Sequence, residues 1–323
     1  MSNAADKFIE IIFTLSLNRY FVLIFAQTQQ TMQILDGIKL SKEIKQEIKA
    51  KVESFKEQGK RVPHLGAILV GNDGASRTYV DNKIKDCHFV GFESSELILE
   101  DTITQEELIA KIQEWNNDSN LDGFIVQLPL PKHIDQEAVI NAIDPNKDVD
   151  GFHPMNFGKM ALEMETFLPA TPYGIMEMLE RYNVPTAGKH TVVIGRSRIV
   201  GRPMSILMSK NGHPGNSTVT ITHSKTQDLA KFTKDADIVI TALGVPEFLK
   251  ADMVKDGVVI VDVGITRVDD PTAPRGFKLA GDVDFENVKE KASWITPVPG
   301  GVGPMTRAML LKNTLLAYNR NNK

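Results

Sequence analysis

From Met32 onward, short apolar runs alternate with longer segments in which apolar residues recur at every third or fourth position. The run His64 to Val70 (HLGAILV) is typical of a buried strand. Ser41 to Phe55, with Ile44 and Ile48 four residues apart, is typical of an amphipathic helix. Strands and helices that alternate along a chain build mostly parallel sheets with helices packed on their faces. The sequence therefore predicts an α/β fold.

A length of 323 residues suggests two domains, because a domain usually holds about 150 residues. The 37 Lys and Arg against 41 Asp and Glu give a net charge of -4, which argues against a nucleic-acid binder that depends on a broadly basic surface. A single cysteine, Cys87, excludes an intrachain disulfide framework and a cysteine-cluster metal site, and it suits a reducing compartment. The histidines never recur at the spacing of a helical zinc site, so we expect no metal.

Residues 1–31 do not follow the alternating pattern, and we treat them as an N-terminal extension. Met1 to Ala4 (MSNA) resembles an expression-vector remnant. The apolar blocks Ile11 to Leu17 and Tyr20 to Ala26 are each too short to span a bilayer, which needs about 20 apolar residues, so no membrane association is expected. We favour translation from Met32, where the regular pattern begins. A signal peptide is the alternative, although acidic residues in this segment do not suit its basic leader.

A proline-rich linker, Leu168 to Pro172, precedes a second alternating series, with Thr171 as the N-cap of the next helix and Pro172 at its first helical position. Before the linker, Gly91 is expected to end a helix in a left-handed conformation, and Thr104 to Glu107 is a capping box. Further strands are predicted at Gly123 to Leu128, Thr191 to Ile194, Thr218 to Thr222, Ile238 to Ala242 and Val258 to Val263. Further helices are predicted at Ala75 to Val90, Gly201 to Asn211, Asp228 to Thr233, Phe285 to Lys291 and Met305 to Tyr318.

The segment Val193 to Pro203 (VIGRSRIVGRP) follows a predicted strand and opens a predicted helix, where a phosphate can meet unpaired backbone N–H groups. Its glycine spacing is a weak signal, because Ser197 stands at the second glycine of the GxGxxG fingerprint. On spacing alone a plain strand–helix turn is favoured. Arg196 directly after the strand, and the polar and basic segment His223 to Thr226 (HSKT) after the next one, suit a ribose 2′-phosphate. NADP is therefore favoured over NAD.

Two further candidates lie on a predicted helix and at a predicted strand end. Tyr79 and Lys83 are four residues apart and share one helix face, a pair that on its own is more often solvated surface than site. Gln127 follows an otherwise apolar strand. It either faces a ligand crevice, as the carboxyl ends of strands in α/β sheets do, or caps the turn before Pro129.

Two loops complete the candidates. Lys147 to Pro154 (KDVDGFHP) holds the carboxylates of Asp148 and Asp150, for which residue type alone favours Asx turns. Pro297 to Thr306 (PVPGGVGPMT), with three glycines and three prolines, is a rigid loop. It either approaches a ligand closely or is an interdomain turn.

Five long motifs occur in order along the chain: SRTYVDNKIKDC, DGFIVQLPLP, NKDVDGFHPMN, VVIGRSRIVGRPM and TPVPGGVGPMT. Together they resemble the bifunctional methylenetetrahydrofolate dehydrogenase/cyclohydrolase family, and the resemblance extends from Met32 to about Tyr318. It implies two α/β domains flanking a cleft, the second a Rossmann-like dinucleotide-binding domain. The implied folate-binding catalytic domain comprises residues 32–170 and 299–323, and the NADP-binding domain residues 171–298. A cytoplasmic homodimer is also implied.

The resemblance assigns roles to individual residues. Lys83 matches the catalytic lysine, Tyr79 the tyrosine beside it, and Gln127 the glutamine that hydrogen-bonds the lysine. Asp150 matches the aspartate that anchors the pterin. Pro299, Gly300 and Gly301, together with Tyr79, are the other expected substrate-binding residues. The expected cofactor-binding residues are Gly195, Arg196, Ser197, Ile199, Val200, Ser224 and Ile265.

The implied activity is NADP-dependent oxidation of 5,10-methylenetetrahydrofolate to 5,10-methenyltetrahydrofolate, followed by hydrolysis to 10-formyltetrahydrofolate. A dehydrogenase-only member, or another NADP-dependent oxidoreductase acting on an amino acid or hydroxy acid, is the alternative, and a non-catalytic binding protein is the third reading. Two departures from the family pattern are visible. Ala170 replaces a frequent cysteine, and an insertion at His213 to Asn216 leaves the partner of the 2′-phosphate open.

Overall fold

The computed structural model describes residues 32–71, 74–273 and 276–322, so the predictions for residues 1–31 lie outside the described part. Its strands are β1 (Gln33–Ile34), β2 (His64–Val70), β3 (Glu93–Leu99), β4 (Gly123–Val126), β5 (His190–Ile194), β6 (Thr218–Thr222), β7 (Ile238–Thr241), β8 (Val258–Asp262), β9 (Thr266–Asp269), β10 (Phe277–Ala280) and β11 (Ala292–Ile295). Its helices are α1 (Gly37–Glu57), α2 (Gly74–Val90), α3 (Gln105–Asn117), α4 (Gln136–Ala142), α5 (Pro154–Ala161), α6 (Ala170–Arg181), α7 (Gly201–Ser209), α8 (Ala230–Thr233), α9 (Phe285–Val288) and α10 (Val302–Asn321).

Two parallel sheets form the framework, which confirms the α/β prediction. The larger sheet has six strands in the order β1-β11-β8-β7-β5-β6, and the smaller has three in the order β3-β2-β4. A β9–β10 hairpin completes the described strands. Because strands within a parallel sheet run the same way, the carboxyl ends of β5, β6, β7 and β8 meet at one edge.

Most predicted elements are present, with ends shifted by a few residues. The α1 helix buries Ile44, Ile48 and Val52, as the four-residue spacing predicted, and it buries Leu40 in an additional turn before the predicted start. The capping box at Thr104 is formed, and Gly91 has a φ of 82°, as expected of a left-handed C-cap. The strand predicted over Gly123 to Leu128 ends at Val126.

The start of α6 differs from the prediction. Pro169, not Thr171, is the N-cap, and Pro172 lies at the third helical position. The N–H of Ala170 donates to the Asp150 carbonyl, and the Thr171 hydroxyl is paired with that of Thr306 at 3.0 Å instead of capping the helix. A proline is still tolerated there, because the first N–H groups of a helix have no intrahelical partner.

The C-terminal helix α10 joins the two sheet regions. It leaves the larger sheet after β11 and packs against α6 and α1, with Met305, Ala308, Leu311 and Leu315 buried. At the other end of the described chain, β1 pairs in parallel with β11, so Gln33 and Ile34 belong to the larger sheet. Over the described ranges, no helix combines the length and apolarity needed to cross a bilayer.

Candidate active site and nucleotide site

Lys83 and Gln127 meet at the carboxyl end of the smaller sheet. Lys83 lies on α2, which directly follows β2, and Gln127 comes immediately after β4. The Lys83 Nζ donates to the Gln127 Oε1 at 3.2 Å across a sequence separation of 44 residues. This geometry supports the interpretation of Gln127 as a site residue. Its amide nitrogen also stabilises the turn before Pro129.

The Gln127 side chain is fixed by its own backbone surroundings. Its N–H donates to the Ile68 carbonyl at 2.8 Å, which continues the β2–β4 pairing, and its Nε2 donates to the Leu128 carbonyl at 2.7 Å. With the amide nitrogen occupied, the amide oxygen is the atom left to face Lys83. The glutamine thus orients the amine from a rigid strand end.

The two carboxylates of the KDVDG turn have different surroundings. Asp148 is buried and accepts from the N–H groups of Phe152 and His153 and from the Asn156 Nδ2, so it performs the Asx-type role. Burial raises the pKa of Asp148 to about 7 despite these donors. Among the residues that the structure describes, none hydrogen-bonds to the Asp150 carboxylate, which is left to interact with a ligand.

Gly151 shows why the turn takes this shape. Its φ is 74°, and an added Cβ would lie 2.6 Å from the carbonyl carbon of Leu168 and from the nitrogen of Pro169. The turn therefore packs directly on the linker before α6, a contact that only glycine permits. A small, mostly apolar cavity lies beside β4, and Asp148 and Asp150 are its acidic lining residues.

Burial dominates the electrostatics of the Lys83 amine. Desolvation lowers the pKa of Lys83, and the positive charge of Arg307 lowers it further, whereas Asp150 and Cys87 raise it. Desolvation also raises the pKa of Asp150, and the Lys83 charge opposes that shift. Burial therefore disfavours the charged form of each group, and the attraction between their charges opposes burial. Burial raises the pKa of Cys87 to about 12, so this thiol is not an activated nucleophile.

Tyr79 and the glycine loop are the other expected substrate-binding residues. Tyr79 lies one helical turn before Lys83 and is 39% exposed, although its hydroxyl reaches no described partner. The Gly300 carbonyl accepts from the Ile38 N–H at 3.0 Å, and a Cβ on Gly37 would lie 1.7 Å from the Gly301 oxygen. The loop that contains Pro299 is thereby held against the start of α1.

The predicted nucleotide loop lies at the carboxyl end of β5. Gly195 has a φ of 121°, and an added Cβ would lie 2.5 Å from the Ala242 oxygen after β7. A Cβ on Gly201 would lie 2.2 Å from the Gly195 oxygen, so the first turn of α7 contacts the strand end directly. These two glycines have the close-packing role that such a strand–helix junction requires.

The start of α7 is less open than the sequence suggested. The Ser197 Oγ accepts from the N–H groups of Val200 and Gly201, at 3.2 and 3.4 Å, and the Ser197 carbonyl accepts from Arg202. These three N–H groups are therefore already paired. An anion at this position would be bound chiefly by the Arg196 guanidinium and by the Ser197 hydroxyl hydrogen.

The remaining predicted cofactor residues lie along the same edge of the larger sheet. Arg196 and Ser224 are exposed at the ends of the neighbouring strands β5 and β6. Ile199 is 40% exposed in the nucleotide loop, and Ile265 is 47% exposed just beyond β8. Val200 is buried at the start of α7, so its side chain packs inside the protein under the nucleotide loop.

Two buried aspartates shape this edge, and no sequence motif indicated them. Asp282 accepts from the N–H groups of Leu243, Gly244 and Val245, which form the loop after β7. Asp262, at the end of β8, accepts from the N–H groups of Gly264, Asp282 and Val283, and burial raises its pKa to about 6. Asp262 closes an apolar strand, and this position was the available signal. Asp282 lies outside the strands and gave no such signal.

One ion pair links the two candidate sites. The Arg198 Nη1 of the nucleotide loop lies 2.6 Å from the Glu137 Oε1 on α4, the first helix after Gln127. Both side chains are largely exposed, so the pair contributes little stability. It shows that the nucleotide loop contacts the helix that follows the last strand of the smaller sheet.

Throughout the described ranges, no group of three or more His, Cys, Asp or Glu side chains is placed to hold a metal ion.

Comparisons with known proteins agree with this geometry. Two family models match: Tetrahydrofolate dehydrogenase/cyclohydrolase, catalytic domain, over residues 35–150, and Tetrahydrofolate dehydrogenase/cyclohydrolase, NAD(P)-binding domain, over residues 169–322. The Bifunctional protein FolD of Flavobacterium johnsoniae is 70% identical over 286 residues, which cover 88% of this chain and 97% of that protein. The chain belongs to the tetrahydrofolate dehydrogenase/cyclohydrolase family. The resemblance carried by the five motifs is confirmed.

Solved structures of the tetrahydrofolate dehydrogenase/cyclohydrolase family share the fold. The bifunctional FolD enzyme of Campylobacter jejuni is 48% identical, with a TM-score of 0.84 over 90% of this chain and 99% of that chain. The Trypanosoma brucei dehydrogenase-cyclohydrolase, solved with NADP cofactor and an inhibitor, is 37% identical, with a TM-score of 0.86 over 90% of this chain and 99% of that chain. These likenesses confirm the two-domain architecture with a Rossmann-like second domain.

Proposed function

We propose that this protein oxidises 5,10-methylenetetrahydrofolate with NADP and then hydrolyses the 5,10-methenyl product to 10-formyltetrahydrofolate. One observation carries this proposal. The Lys83 amine is hydrogen-bonded to Gln127, and the Asp150 carboxylate, which acts on the charge of that amine, accepts no hydrogen bond from the described residues. Family membership and 70% identity to a bifunctional relative support both activities. No observation favours a dehydrogenase-only enzyme, an oxidoreductase for amino or hydroxy acids, or a non-catalytic binding protein.

The exposed donors at the edge of the larger sheet fit NADP. The Arg196 guanidinium and the hydroxyls of Ser197 and Ser224 lie on adjacent strand ends, and they offer a positive charge with hydrogen-bond donors for a ribose 2′-phosphate. When bound, NADP+ supplies the acceptor for the hydride that leaves the methylene carbon of the folate. Gly195 would contact the dinucleotide through its backbone, and Ile199 and Ile265 through their exposed apolar surface, while the buried Val200 would support the loop without touching it.

In the oxidation step, the chain's main contribution is positioning. Loss of hydride from the methylene bridge leaves a cationic carbon, and no protein acid is needed for this loss. Asp150 and the loop Pro299 to Gly301 hold the pterin, and Tyr79 bounds the ring system from α2. Holding two reactants at contact distance supplies a large part of the rate enhancement in such a reaction.

In the hydrolysis step, Lys83 is the base. Water adds to the cationic methenyl carbon, and the neutral amine takes the proton that the water loses. The carbon–N5 bond then breaks, N5 keeps the electron pair and takes the remaining hydroxyl proton, the C=O of the formyl group forms, and Lys83 releases its proton to solvent. The Gln127 Oε1 accepts one N–H of the amine and so directs the nitrogen lone pair away from the strand. Burial lowers the pKa of Lys83, and the nearby folate cation disfavours the protonated amine further, so both favour the neutral form that a base requires.

The progress of both products in one reaction tests the proposal. The protein is mixed with methylenetetrahydrofolate and NADP+, and NADPH and the methenyl chromophore are followed together. We expect NADPH to accumulate while the methenyl signal rises and then decays. A persistent methenyl signal that decays only at the buffer rate would exclude the second activity, and no NADPH formation would exclude the first.

Asp150→Asn should weaken folate binding more than NADP binding. The carboxylate can accept from the pterin amide and amino groups together, and an asparagine replaces one acceptor by a donor. We expect the KM for methylenetetrahydrofolate to rise about tenfold or more, since charged hydrogen bonds contribute about 1.5–3 kcal/mol. Steady-state kinetics with each substrate varied in turn measure this, and equal losses for both substrates would contradict the assignment.

Arg196→Ala should raise the KM for NADP+ by at least about tenfold and reduce the preference for NADP+ over NAD+, because a charged hydrogen bond to the 2′-phosphate is lost. Arg198→Ala is the matched control, since this neighbouring guanidinium is paired with Glu137. Initial rates with both cofactors give the comparison. An unchanged cofactor preference in Arg196→Ala would rule out the 2′-phosphate contact.

The domain limits, at residues 32–170 with 299–323 and residues 171–298, are part of this proposal, with β1 of the first segment pairing into the larger sheet. The homodimer, the cytoplasmic location and a role in supplying one-carbon units for purine biosynthesis are expectations from the family. The absence of nucleic-acid partners rests on the net charge of -4. The single cysteine supports the reducing compartment.

A further inference from the structure

Asn313 is a buried polar residue in the middle of α10 that the reaction above does not use. Its Nδ2 donates to the carbonyl oxygen of Val149 at 2.8 Å and to that of Leu168 at 2.9 Å. These acceptors precede Asn313 by 164 and 145 residues in the chain. An amide nitrogen carries two hydrogens, and each makes one of these bonds. The side chain therefore joins α10 to the KDVDG turn and to the linker before α6.

These bonds hold the backbone on both sides of Asp150. The Val149 carbonyl, which Asn313 binds, belongs to the peptide group before Asp150. The Asp150 carbonyl belongs to the peptide group after it and accepts from the Ala170 N–H at 3.3 Å, two residues beyond the Leu168 carbonyl that Asn313 also binds. Because peptide groups are planar, fixing both of them fixes the two backbone dihedrals of Asp150 and the direction of its Cα–Cβ bond.

The Asp150 side chain has no comparable support of its own. Its carboxylate accepts no hydrogen bond from the described residues, so its direction depends on the backbone that carries it. Asp148 in the same turn differs, because three donors hold its carboxylate directly. The contacts of Asn313 therefore matter most for the one carboxylate of this turn that is open to a ligand.

The same helix follows the other expected folate-binding element. α10 begins at Val302, directly after the loop Pro299 to Gly301. It also lies close against α6, since a Cβ on Gly174 would lie 2.9 Å from the Cβ of Met305. A carboxylate that anchors a ring and a loop that bounds the same ring need a fixed relative position. α10 contacts the turn through Asn313 and continues the loop at its first residue, so it can set that position.

We propose that Asn313 is a positioning residue that holds Asp150 at the angle at which its carboxylate meets the pterin. It acts through the peptide group between Val149 and Asp150. Without the amide, this peptide group loses its buried donor and can rotate, which turns the carboxylate away from the folate. The inference rests on the proposed function, because it names the residue that orients the folate anchor of that reaction.

Asn313→Leu tests the proposal, because leucine removes both donors and keeps a side chain of similar volume. We expect the KM for methylenetetrahydrofolate to rise about three- to tenfold, the effect of losing a typical hydrogen bond. The KM for NADP+ and the kcat at saturating folate should change by less than about twofold, since neither the nucleotide loop nor Lys83 contacts Asn313. Steady-state kinetics with each substrate varied in turn measure this difference.

A double substitution shows whether the effect passes through Asp150. In the Asp150→Asn background, Asn313→Leu should raise the folate KM by less than about twofold more, because the carboxylate that it orients is already absent. If the two effects multiply instead, Asn313 acts independently of Asp150 and the inference is wrong.

Thr314→Val is the matched control for packing. Thr314 is fully buried next to Asn313, but its hydroxyl donates to the Leu310 carbonyl of its own helix at 2.9 Å. Its loss should lower the thermal unfolding temperature without raising the folate KM, and an equal rise would overturn the inference. Asn313→Ala also removes both donors, should raise the folate KM as Asn313→Leu does, and replaces the leucine variant if that variant does not fold.

Binding without turnover separates this inference from the proposed function. Calorimetric titration with 5-formyltetrahydrofolate should show weaker binding by Asn313→Leu, to the same extent as the rise in KM, and unchanged binding of NADP+. Such a result in a protein that forms no NADPH would support the role of Asn313 and reject the proposed function. Unchanged folate binding, or an equal loss of NADP+ binding, would overturn the inference and leave the proposed function intact.

Discussion

Lys83→Met is expected to lower the rate of methenyl hydrolysis by about 10²- to 10⁴-fold, the range that a positioned general base contributes. The methionine keeps the length and apolar stem of the lysine but cannot accept a proton or donate to Gln127. Hydrolysis by the unaltered protein should increase with pH, and the midpoint of the increase should lie below the ordinary pKa of a lysine, because burial lowers the pKa of Lys83. Stopped-flow decay of added methenyltetrahydrofolate measures both effects.

Lys85→Met is the matched control for this substitution. Lys85 is exposed on the same helix, two residues further along, and should leave the hydrolysis rate within about twofold, as surface substitutions remote from a site usually do. NADP binding by Lys83→Met should be unchanged. Full hydrolysis by Lys83→Met would show that the amine is not the base, whatever the effect on oxidation.

Asp282→Ala is expected to destabilise the protein by about 3 kcal/mol and to weaken NADP binding. The side chain is fully buried, and its loss removes the acceptor for the N–H groups of Leu243, Gly244 and Val245. Each buried donor left unpaired costs about 1–3 kcal/mol, and water can replace part of the loss at the exposed end of the loop. Urea unfolding measures the change in the free energy of unfolding.

Asp284→Ala provides the comparison for Asp282. Asp284 lies two residues away. Its ion pair with Lys250 at 3.2 Å and its hydrogen bonds from the Asn287 Nδ2 are near the surface, so its removal should cost no more than about 1 kcal/mol. A stability loss for Asp282→Ala no larger than for Asp284→Ala would contradict the role assigned to the buried hydrogen bonds. Unchanged NADP affinity would show that the loop after β7 does not shape the nucleotide site.

The sequence predicted the central strands of both sheets well, because β2, β5, β7 and β8 are buried apolar runs with turn residues after them. It did not predict β3, an edge strand whose first four residues are polar. It also did not predict β1 and β11, which are short and depend on pairing with distant partners. Such strands gain their stability from the sheet rather than from local preference.

The candidate site was predicted only in part, because the role of several side chains depends on contacts with residues that are distant in the sequence. Lys83, Gln127 and Asp150 were identified through motifs, and the structure supplies the hydrogen bond and the burial that relate them. Residue type could not separate Asp148, which holds its own turn, from Asp150, which is open to a ligand. Asp282 was missed because its function lies in a loop nearly 40 positions earlier in the chain.

The pairing of β1 with β11 and the return of α10 to α1 and α6 bear on how this protein can be recombined. A single cut near Leu168 would deprive the N-terminal fragment of the helix that covers its apolar surface. Exchange of the nucleotide-binding half with that of a relative therefore requires two junctions, one at this linker and one between Thr296 and Gly301. A chimera must also retain the pairing of Gln33 with Trp294, because the host chain would supply β1 and the exchanged half would supply β11.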